Sequence, residues 1–246
     1  MMLIIVLVAI SCFVHTCQGT CNHISTASPL NWSLSIDCCT WEGVDCDDSG
    51  RVTNMWLPLR GLVGSISSSI VNVNSLSRFN LSHNWLVGRL PDGFFVSLKL
   101  LQQQQLLGAN YFNYLQYFAS IQFSNNDFTG LIPQGFGRCK NMQRLRSGFN
   151  NISGGVPRDI NRLLTLQELY LPGNKLSGEI DKTIVNLGSI RIFALYVNEL
   201  TCMIPQDIRK LSKLEQLQLH INQLLGLLQV YLINFFHNLI KSNLIN

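Results

Sequence analysis

An asparagine that recurs every 24 residues constrains the fold of this chain more than any other feature. Five asparagines keep this spacing without a break: Asn126, Asn150, Asn174, Asn198 and Asn222. An apolar residue follows each asparagine by two positions, a glycine by four and an aliphatic residue by six, and Cys202 replaces the glycine once. Because separate columns keep the same phase, the chain is built from repeated structural units.

Two earlier segments share this frame, although the first carries Arg60 and only the second carries an asparagine, Asn84. The common pattern LxLxxNxLxGxIP, with a period of about 20–29 residues, is the signature of leucine-rich repeats. In LxL the two apolar residues point one way and the residue between them points the other way, as in a short strand. The pattern therefore predicts an α/β repeat solenoid with parallel short strands on its concave face and 3-10 or irregular segments on its outer face.

The asparagine column is expected to form a structural ladder. A side-chain amide both donates and accepts hydrogen bonds, so it can pair backbone groups of the turn that would otherwise be buried unpaired at roughly 1–3 kcal/mol each. This role falls to Asn84, Asn126, Asn150, Asn174, Asn198 and Asn222. Because the period accounts for these residues, function must lie in the positions between them.

Four regions are predicted: a signal peptide (1–19), an N-terminal cap (20–50), leucine-rich repeats (51–228) and a non-repeat tail (229–246). The first follows from an apolar run over residues 3–14 and from the small residues Cys17 and Gly19, which suit signal peptidase. The alternative for this run is a membrane anchor, but the run is shorter than the ~20 residues that a span requires. The sequence therefore predicts a secreted or cell-surface protein on the extracellular side of the plasma membrane.

The repeat region is predicted to hold about seven regular units and one degenerate unit near residues 97–120. From Phe79 to Ile121 the chain advances 42 residues, which is one period of 24 plus 18. The extra segment has no usable LxxNxL. It is interpreted as a helical or irregular excursion, or as the scar of a damaged gene.

Four cysteines before the first repeat predict a disulfide-braced cap over the open end of the solenoid. Cys39–Cys46 is the preferred pair and Cys21–Cys38 the second, although four cysteines allow three pairings. A zinc site is the competing interpretation, but the cluster lacks suitably spaced histidines or a second cysteine pair.

Other signals concern modification and partners. Three Asn-X-Ser sequons, at Asn31, Asn80 and Asn151, predict a glycoprotein. The formal charge of +4, without a run of Lys or Arg, excludes nucleic acid as the partner. No cofactor or metal is expected. Polar residues interrupt the apolar tail, so we expect membrane association only through a partner or through this weak C-terminal segment.

The stretch from Asn31 to Pro91 contains the runs CCTWEGVDC and RFNLSHN. It resembles the cap and first repeats of plant leucine-rich repeat receptor kinases, and within them it is most similar to the phytosulfokine and tyrosine-sulfated glycopeptide receptor group. The resemblance continues more generically to about Gly226. It implies a plant-type extracellular solenoid that recognises a secreted peptide, followed by a transmembrane helix and a cytoplasmic kinase.

The sequence departs from this group beyond the repeats. It has no Gly-rich loop, no VAIK lysine, no HRD and no DFG, so a kinase domain is not expected and the chain is predicted not to be an enzyme. The hormone-binding insertion of the group, which lies among later repeats, is also missing from the sequence. The chain is therefore interpreted as a truncated receptor, and the group's ligand contacts cannot be transferred to its residues.

Candidate ligand-binding residues alternate with the LxL leucines on the predicted concave face. They are Arg144, Arg146, Glu168, Tyr170 and Tyr196. These residues are expected to form one patch about 10 Å across, given a strand spacing near 4.8 Å. Arg and Tyr are favoured interface anchors, and the Arg fork matches a carboxylate or sulfate. The alternative is that they are solvated strand residues, with Glu168 paired to an arginine.

Two functions from different classes fit these observations, beside a gene remnant without a stable product. The first is an extracellular receptor-like protein that binds a peptide or protein ligand in plant signalling, with a co-receptor kinase as a further candidate partner. The second is a soluble inhibitor of cell-wall hydrolases, because plant polygalacturonase inhibitors share this 24-residue repeat.

Overall fold

The computed structural model describes residue 32, residues 36–91 except for 69, 71, 72 and 74, and residues 118–225. The predicted signal peptide and the predicted tail both lie outside these ranges. Within them, no helix has the length and apolar character that crossing a membrane would require.

The seven LxL segments and one strand of the cap form an eight-stranded sheet. Its strands, in spatial order, are β1 (Val44–Cys46), β2 (Val52–Trp56), β4 (Arg78–Asn80), β6 (Ser120–Gln122), β8 (Arg144–Arg146), β10 (Glu168–Tyr170), β12 (Ile192–Ala194) and β14 (Gln216–Gln218). The cap strand β1 pairs antiparallel with β2, and every later pair in this sheet is parallel. The parallel strands from β2 to β14 confirm the predicted solenoid.

The segments after the asparagine column form a second sheet of six strands. These are β3 (Val63–Gly64), β5 (Trp85–Arg89), β7 (Asp127–Leu131), β9 (Asn151–Gly154), β11 (Lys175–Gly178) and β13 (Glu199–Leu200). All of their pairings are parallel. Short 3-10 helices complete the units and the cap, at Cys38–Thr40, Phe136–Arg138, Arg158–Arg162, Lys182–Asn186 and Gln206–Lys210.

The core lies between the two sheets and the 3-10 helices. The first apolar residue of LxL is buried in every unit: Met55, Phe79, Ile121, Leu145, Leu169, Phe193 and Leu217. The second apolar column is buried as well, but its size varies, because Phe123 and Ser147 stand where neighbouring units carry leucine. The Ser147 hydroxyl is buried without a hydrogen-bond partner. Side chains that alternate with these columns point away from the core, and we call their surface the sheet face.

Each ladder asparagine connects its own unit to the preceding one. Asn174 shows the pattern: its Nδ2 donates to the Leu171 carbonyl at 3.2 Å and to the Ser147 carbonyl of the preceding unit at 3.0 Å. Its Oδ1 accepts from the Ile152 N–H at 3.0 Å. The same pair of inter-unit bonds recurs at Asn84, Asn126, Asn150, Asn198 and Asn222.

The ladder continues directly from Asn84 to Asn126 in the middle of the chain, whereas most of the predicted degenerate unit near residues 97–120 lies outside the described residues. Strand β4 pairs directly with β6. Asn126 donates to the Leu81 carbonyl at 2.9 Å and accepts from the Leu86 N–H at 3.0 Å, although these partners lie 45 and 40 residues earlier. The units on the two sides of this segment are therefore direct neighbours in the sheet and in the ladder. Residues 92–117 themselves lie outside the described ranges.

Arg60 occupies the first ladder position, where the other units carry asparagine, and it makes two contacts there. Its backbone N–H donates to the Asn84 Oδ1 at 3.0 Å. Its guanidinium forms an ion pair with Glu42 of the cap. The first unit is thus fastened through its backbone to the second unit and through its side chain to the cap.

The cap contains the predicted Cys39–Cys46 disulfide, with Cα atoms 5.5 Å apart. This pair is confirmed. Cys38 is also disulfide-bonded, and its predicted partner, Cys21, lies outside the described residues. The sulfurs of Cys38, Cys39 and Cys46 lie within 4.8 Å of one another, but their use in disulfides leaves no thiolate for zinc. Trp32 stacks on Trp41 at 4.8 Å beside them.

The remaining cysteines of the repeat region are free. Cys139 is buried, and burial, followed by the nearby charge of Asp159, raises the pKa of its thiol to about 12. Cys202 is exposed and adopts a left-handed φ of 66° in place of the motif glycine. A side chain at this φ strains the backbone.

The position before each ladder asparagine is also left-handed, a feature that the sequence pattern does not reveal. It is occupied by His83, Asn125, Phe149, Gly173, Val197 and Ile221, and by Leu59 before Arg60, with φ between 52° and 61°. Glycine and asparagine tolerate this conformation, whereas β-branched residues such as Val197 are strained in it. The repeat geometry imposes the turn whatever residue the unit supplies.

Replacing Val197 with asparagine is therefore expected to raise the free energy of unfolding by about 1 kcal/mol, because asparagine tolerates φ near 54°. Urea denaturation followed by circular dichroism measures the change. Val197→Thr keeps the branched β-carbon and should leave stability within about 0.5 kcal/mol of the wild type. A destabilised Val197→Asn variant would show that burial of the valine side chain outweighs the strain.

Candidate functional site

The central strands of the eight-stranded sheet place the predicted charged residues side by side. Strands β8 and β10 pair so that Arg144 lies opposite Glu168 and Arg146 lies opposite Tyr170. The intervening leucines enter the core, so these four side chains share the sheet face. The 24-residue period thus determines which residues from separate units become neighbours.

Glu168 binds both arginines. Arg144 Nε donates to Glu168 Oε1 at 3.4 Å, and Arg146 Nε donates to Oε2 at 2.7 Å. The Glu168 side chain is only 15% exposed, whereas those of Arg144 and Arg146 are 45% and 40% exposed. The carboxylate therefore lies lower in the surface than the two guanidinium groups that it holds.

Two tyrosines extend this group along the solenoid. The guanidinium carbon of Arg146 lies 5.8 Å from the centre of the Tyr170 ring, within the range of a cation–π contact. The hydroxyls of Tyr170 and Tyr196 are 3.0 Å apart and share a hydrogen bond. The structure therefore brings together all five predicted residues, Arg144, Arg146, Glu168, Tyr170 and Tyr196, which we call the central cluster.

Two residues beside the central cluster were missed by the sequence analysis. His220 stacks on Tyr196 with ring centres 4.7 Å apart and an interplanar angle of 9°. Phe149 approaches Tyr196 edge-on at 6.2 Å. The unit between those of Phe149 and Tyr196 carries Gly173, where a Cβ atom would lie 2.6 Å from the Phe149 ring. Alignment of the columns just before the ladder asparagines would have located both aromatic residues.

Tyr196 is held in its neutral form. Burial, followed by the hydrogen bond with Tyr170, raises the pKa of the Tyr196 phenol to about 12. A tyrosine phenol is already protonated at neutral pH, and the raised pKa extends its role as donor and acceptor to more alkaline solution. The Tyr196 hydroxyl adds hydrogen-bonding capacity to the cluster without adding charge.

The predicted glycosylation sites lie in different surroundings. Asn80 is only 3% exposed, and its Oδ1 accepts hydrogen bonds from the backbone and hydroxyl of Ser82. Glycosylation of Asn80 stays a prediction, and its amide would have to become accessible for a glycan to be attached. Asn151 is half-buried on β9 and stays a prediction. Asn31 lies outside the described residues.

The chemistry of the central cluster suits binding. Its guanidinium groups donate in a fixed fork, and its phenols combine apolar rings with polar tips. Arginine and tyrosine are enriched among the residues that carry binding energy at interfaces. The connected contacts cross three neighbouring strands, from β8 to β12 and the turn after it.

Comparison with known families and sequences agrees with this architecture. The Leucine Rich Repeat family matches residues 75–96, 119–139 and 165–187. Receptor-like protein 3 from Arabidopsis thaliana is 49% identical over 83 residues, which are 33% of this chain and 11% of that protein. Phytosulfokine receptor 1 from the same plant is 29% identical over 129 residues, 50% of this chain and 11% of the receptor. The matched segments thus span about a ninth of the length of these relatives.

A solved structure with the same fold is the plant peptide hormone receptor RGFR1 in complex with RGF2. It is 31% identical in sequence and superposes with a TM-score of 0.57, over 67% of this chain and 23% of that receptor. Together with the repeats and the cap disulfide, these similarities confirm the resemblance to plant leucine-rich repeat receptors that the sequence indicated.

Proposed function

We propose that this chain, which is similar to plant receptor-like proteins and receptor kinases, binds a peptide or protein ligand through the sheet face. The binding takes place outside the cell, in plant signalling, and involves no catalysis by the chain itself. A co-receptor kinase is the further partner that this function would require for a signal to cross the membrane.

The observation that carries this proposal is the central cluster. It joins two guanidinium groups, a carboxylate and two tyrosine rings in one continuous run of contacts on the sheet face. RGFR1, which shares the fold, is a peptide hormone receptor solved with RGF2. An extended peptide laid across parallel strands would meet a new column of side chains about every 4.8 Å.

Binding is tested by titrating the purified full chain with a panel of synthetic secreted plant peptides in a calorimeter. Tyr170→Ala is expected to weaken the binding of a responding peptide about 30-fold, because loss of an interface anchor costs about 2 kcal/mol. Arg146→Ala should also weaken it, through lost charge and lost packing on Tyr170.

Arg78→Ala is the matched control for Arg146→Ala. Arg78 is exposed on β4, two strands before Arg144 in the same column of the sheet face. Its removal should change affinity by less than threefold, since it lies outside the central cluster. Equal losses in both arginine variants, or unchanged binding in Tyr170→Ala, would contradict this location of the site.

The inhibitor of cell-wall hydrolases stays a prediction of the sequence. Adding the same purified chain to a fungal polygalacturonase tests it directly. Unaltered hydrolysis of polygalacturonate would remove this alternative.

A further inference from the structure

One carboxylate serves two arginines at the centre of the sheet face. Among the described ion pairs, Arg191 with Glu215 shows the simpler arrangement of one arginine and one acid. These residues directly precede the neighbouring strands β12 and β14, and both side chains are more than half exposed. Glu168 differs because it contacts two guanidinium groups and is largely shielded from solvent. Shielding strengthens its interaction with them relative to a fully solvated pair.

The two arginines have further donors to offer. A guanidinium has five N–H groups. Contacts with Glu168 use Nε of Arg144 and Nε and Nη2 of Arg146. The remaining N–H groups belong to side chains that are 40–45% exposed, so they are within reach of an external anion. Two adjacent guanidinium groups with free donors are suited to bind a carboxylate or a sulfate.

We propose that Arg144 and Arg146 form an anion-binding site whose charge Glu168 partly neutralises in the free protein. Glu168 thereby competes with an anionic group of a ligand for the two arginines and lowers their affinity for that group. This inference rests on the proposed function for its biological role, because it concerns the same surface. The binding of a simple anion to the two arginines does not depend on any peptide.

The competition follows from charge. With Glu168 ionised, the three side chains carry a net charge of +1, from two arginines and one glutamate. An incoming anion either takes the place of the carboxylate or binds beside it against like-charge repulsion, and both routes weaken its binding. A ligand that also contacts Tyr170 and Tyr196 can overcome this barrier, whereas an isolated small anion cannot. Glu168 thus favours a ligand whose anionic group is attached to an apolar or aromatic neighbour.

Inorganic sulfate is the probe for the first test. Titration of the full chain at low ionic strength, followed by calorimetry, compares the wild type with Glu168→Gln, which removes the charge and keeps the shape. We expect sulfate to bind Glu168→Gln about tenfold more tightly or better. Acetate, titrated in parallel, separates a preference for sulfate from a general gain for carboxylates. Glu168→Thr carries the same expectation if the glutamine variant does not fold.

Glu215→Gln is the matched control, because it frees a single exposed arginine and should change sulfate affinity by less than threefold. Adding Arg144→Ala and Arg146→Ala to the Glu168→Gln variant should abolish the gain. Equal sulfate affinity in the wild type and Glu168→Gln would overturn the proposal, as would a gain that survives loss of both arginines. A sulfate gain without any peptide binding would support this site and count against the proposed function, so the two failures are distinguishable.

Discussion

Replacing Asn174 with alanine is expected to lower the free energy of unfolding by about 3 kcal/mol. Its amide pairs backbone groups of two units, including the Ser147 carbonyl and the Ile152 N–H, and the side chain is buried. Alanine would leave these groups without partners, and each unpaired buried group costs roughly 1–3 kcal/mol. Urea denaturation of the full chain, followed by circular dichroism, measures the loss.

Asn151→Ala is the matched control for this prediction. Asn151 is half-buried on β9, one strand from β11, and lies outside the ladder. Its replacement should shift stability by no more than about 0.5 kcal/mol. If both asparagine variants unfold at the same urea concentration, the ladder is not a main source of stability between units.

Replacing Phe123 with alanine should cost about 4 kcal/mol, the largest effect that we predict. The Phe123 ring is fully buried and contacts Phe79 edge-on at 5.2 Å and Phe128 at 5.7 Å. These three rings join the two units that lie before and after residues 92–117. Removing a buried phenylalanine costs the transfer free energy of the ring and leaves a cavity, about 3–5 kcal/mol in total.

Thermal and urea unfolding of Phe123→Ala compared with Leu164→Ala test this prediction. The Leu164 side chain is mostly exposed, so its truncation should change stability by no more than about 0.5 kcal/mol. A loss in Phe123→Ala below about 1 kcal/mol would mean that the contact between Phe123 and Phe79 does not stabilise the pairing of the units before and after residues 92–117.

The central cluster could be predicted because the period converts sequence distance into spatial distance. Residues that stand 24 apart in the LxL columns become neighbours on parallel strands, as Arg144 and Glu168 do. Their mutual contacts could not be predicted, because two long side chains adopt one of many rotamers until packing selects it. The sequence offered Glu168 with an arginine as an ordinary solvated pair, whereas the structure shows one shielded carboxylate between two arginines.

Residue counting does not say which units become neighbours. The 42 residues between Phe79 and Ile121 exceed one period by 18 residues. Strand β4 nevertheless pairs directly with β6, so the units on the two sides of this segment are neighbours in the sheet. The surroundings of Asn80 are equally invisible in the sequence, because its burial depends on neighbouring strands.

By itself the sequence determined the repeat, the ladder and the core columns, because each depends on local periodicity. It favoured the Cys39–Cys46 pair but left the other pairings of the cap cysteines open. Only the tertiary structure decided where the ladder continues across residues 92–117, how Glu168 is shared, and that Phe149 and His220 join Tyr196. These features depend on which units become neighbours and how their side chains pack. The repeat period predicts the register between the strands of neighbouring units, but side-chain packing decides which residues contact one another.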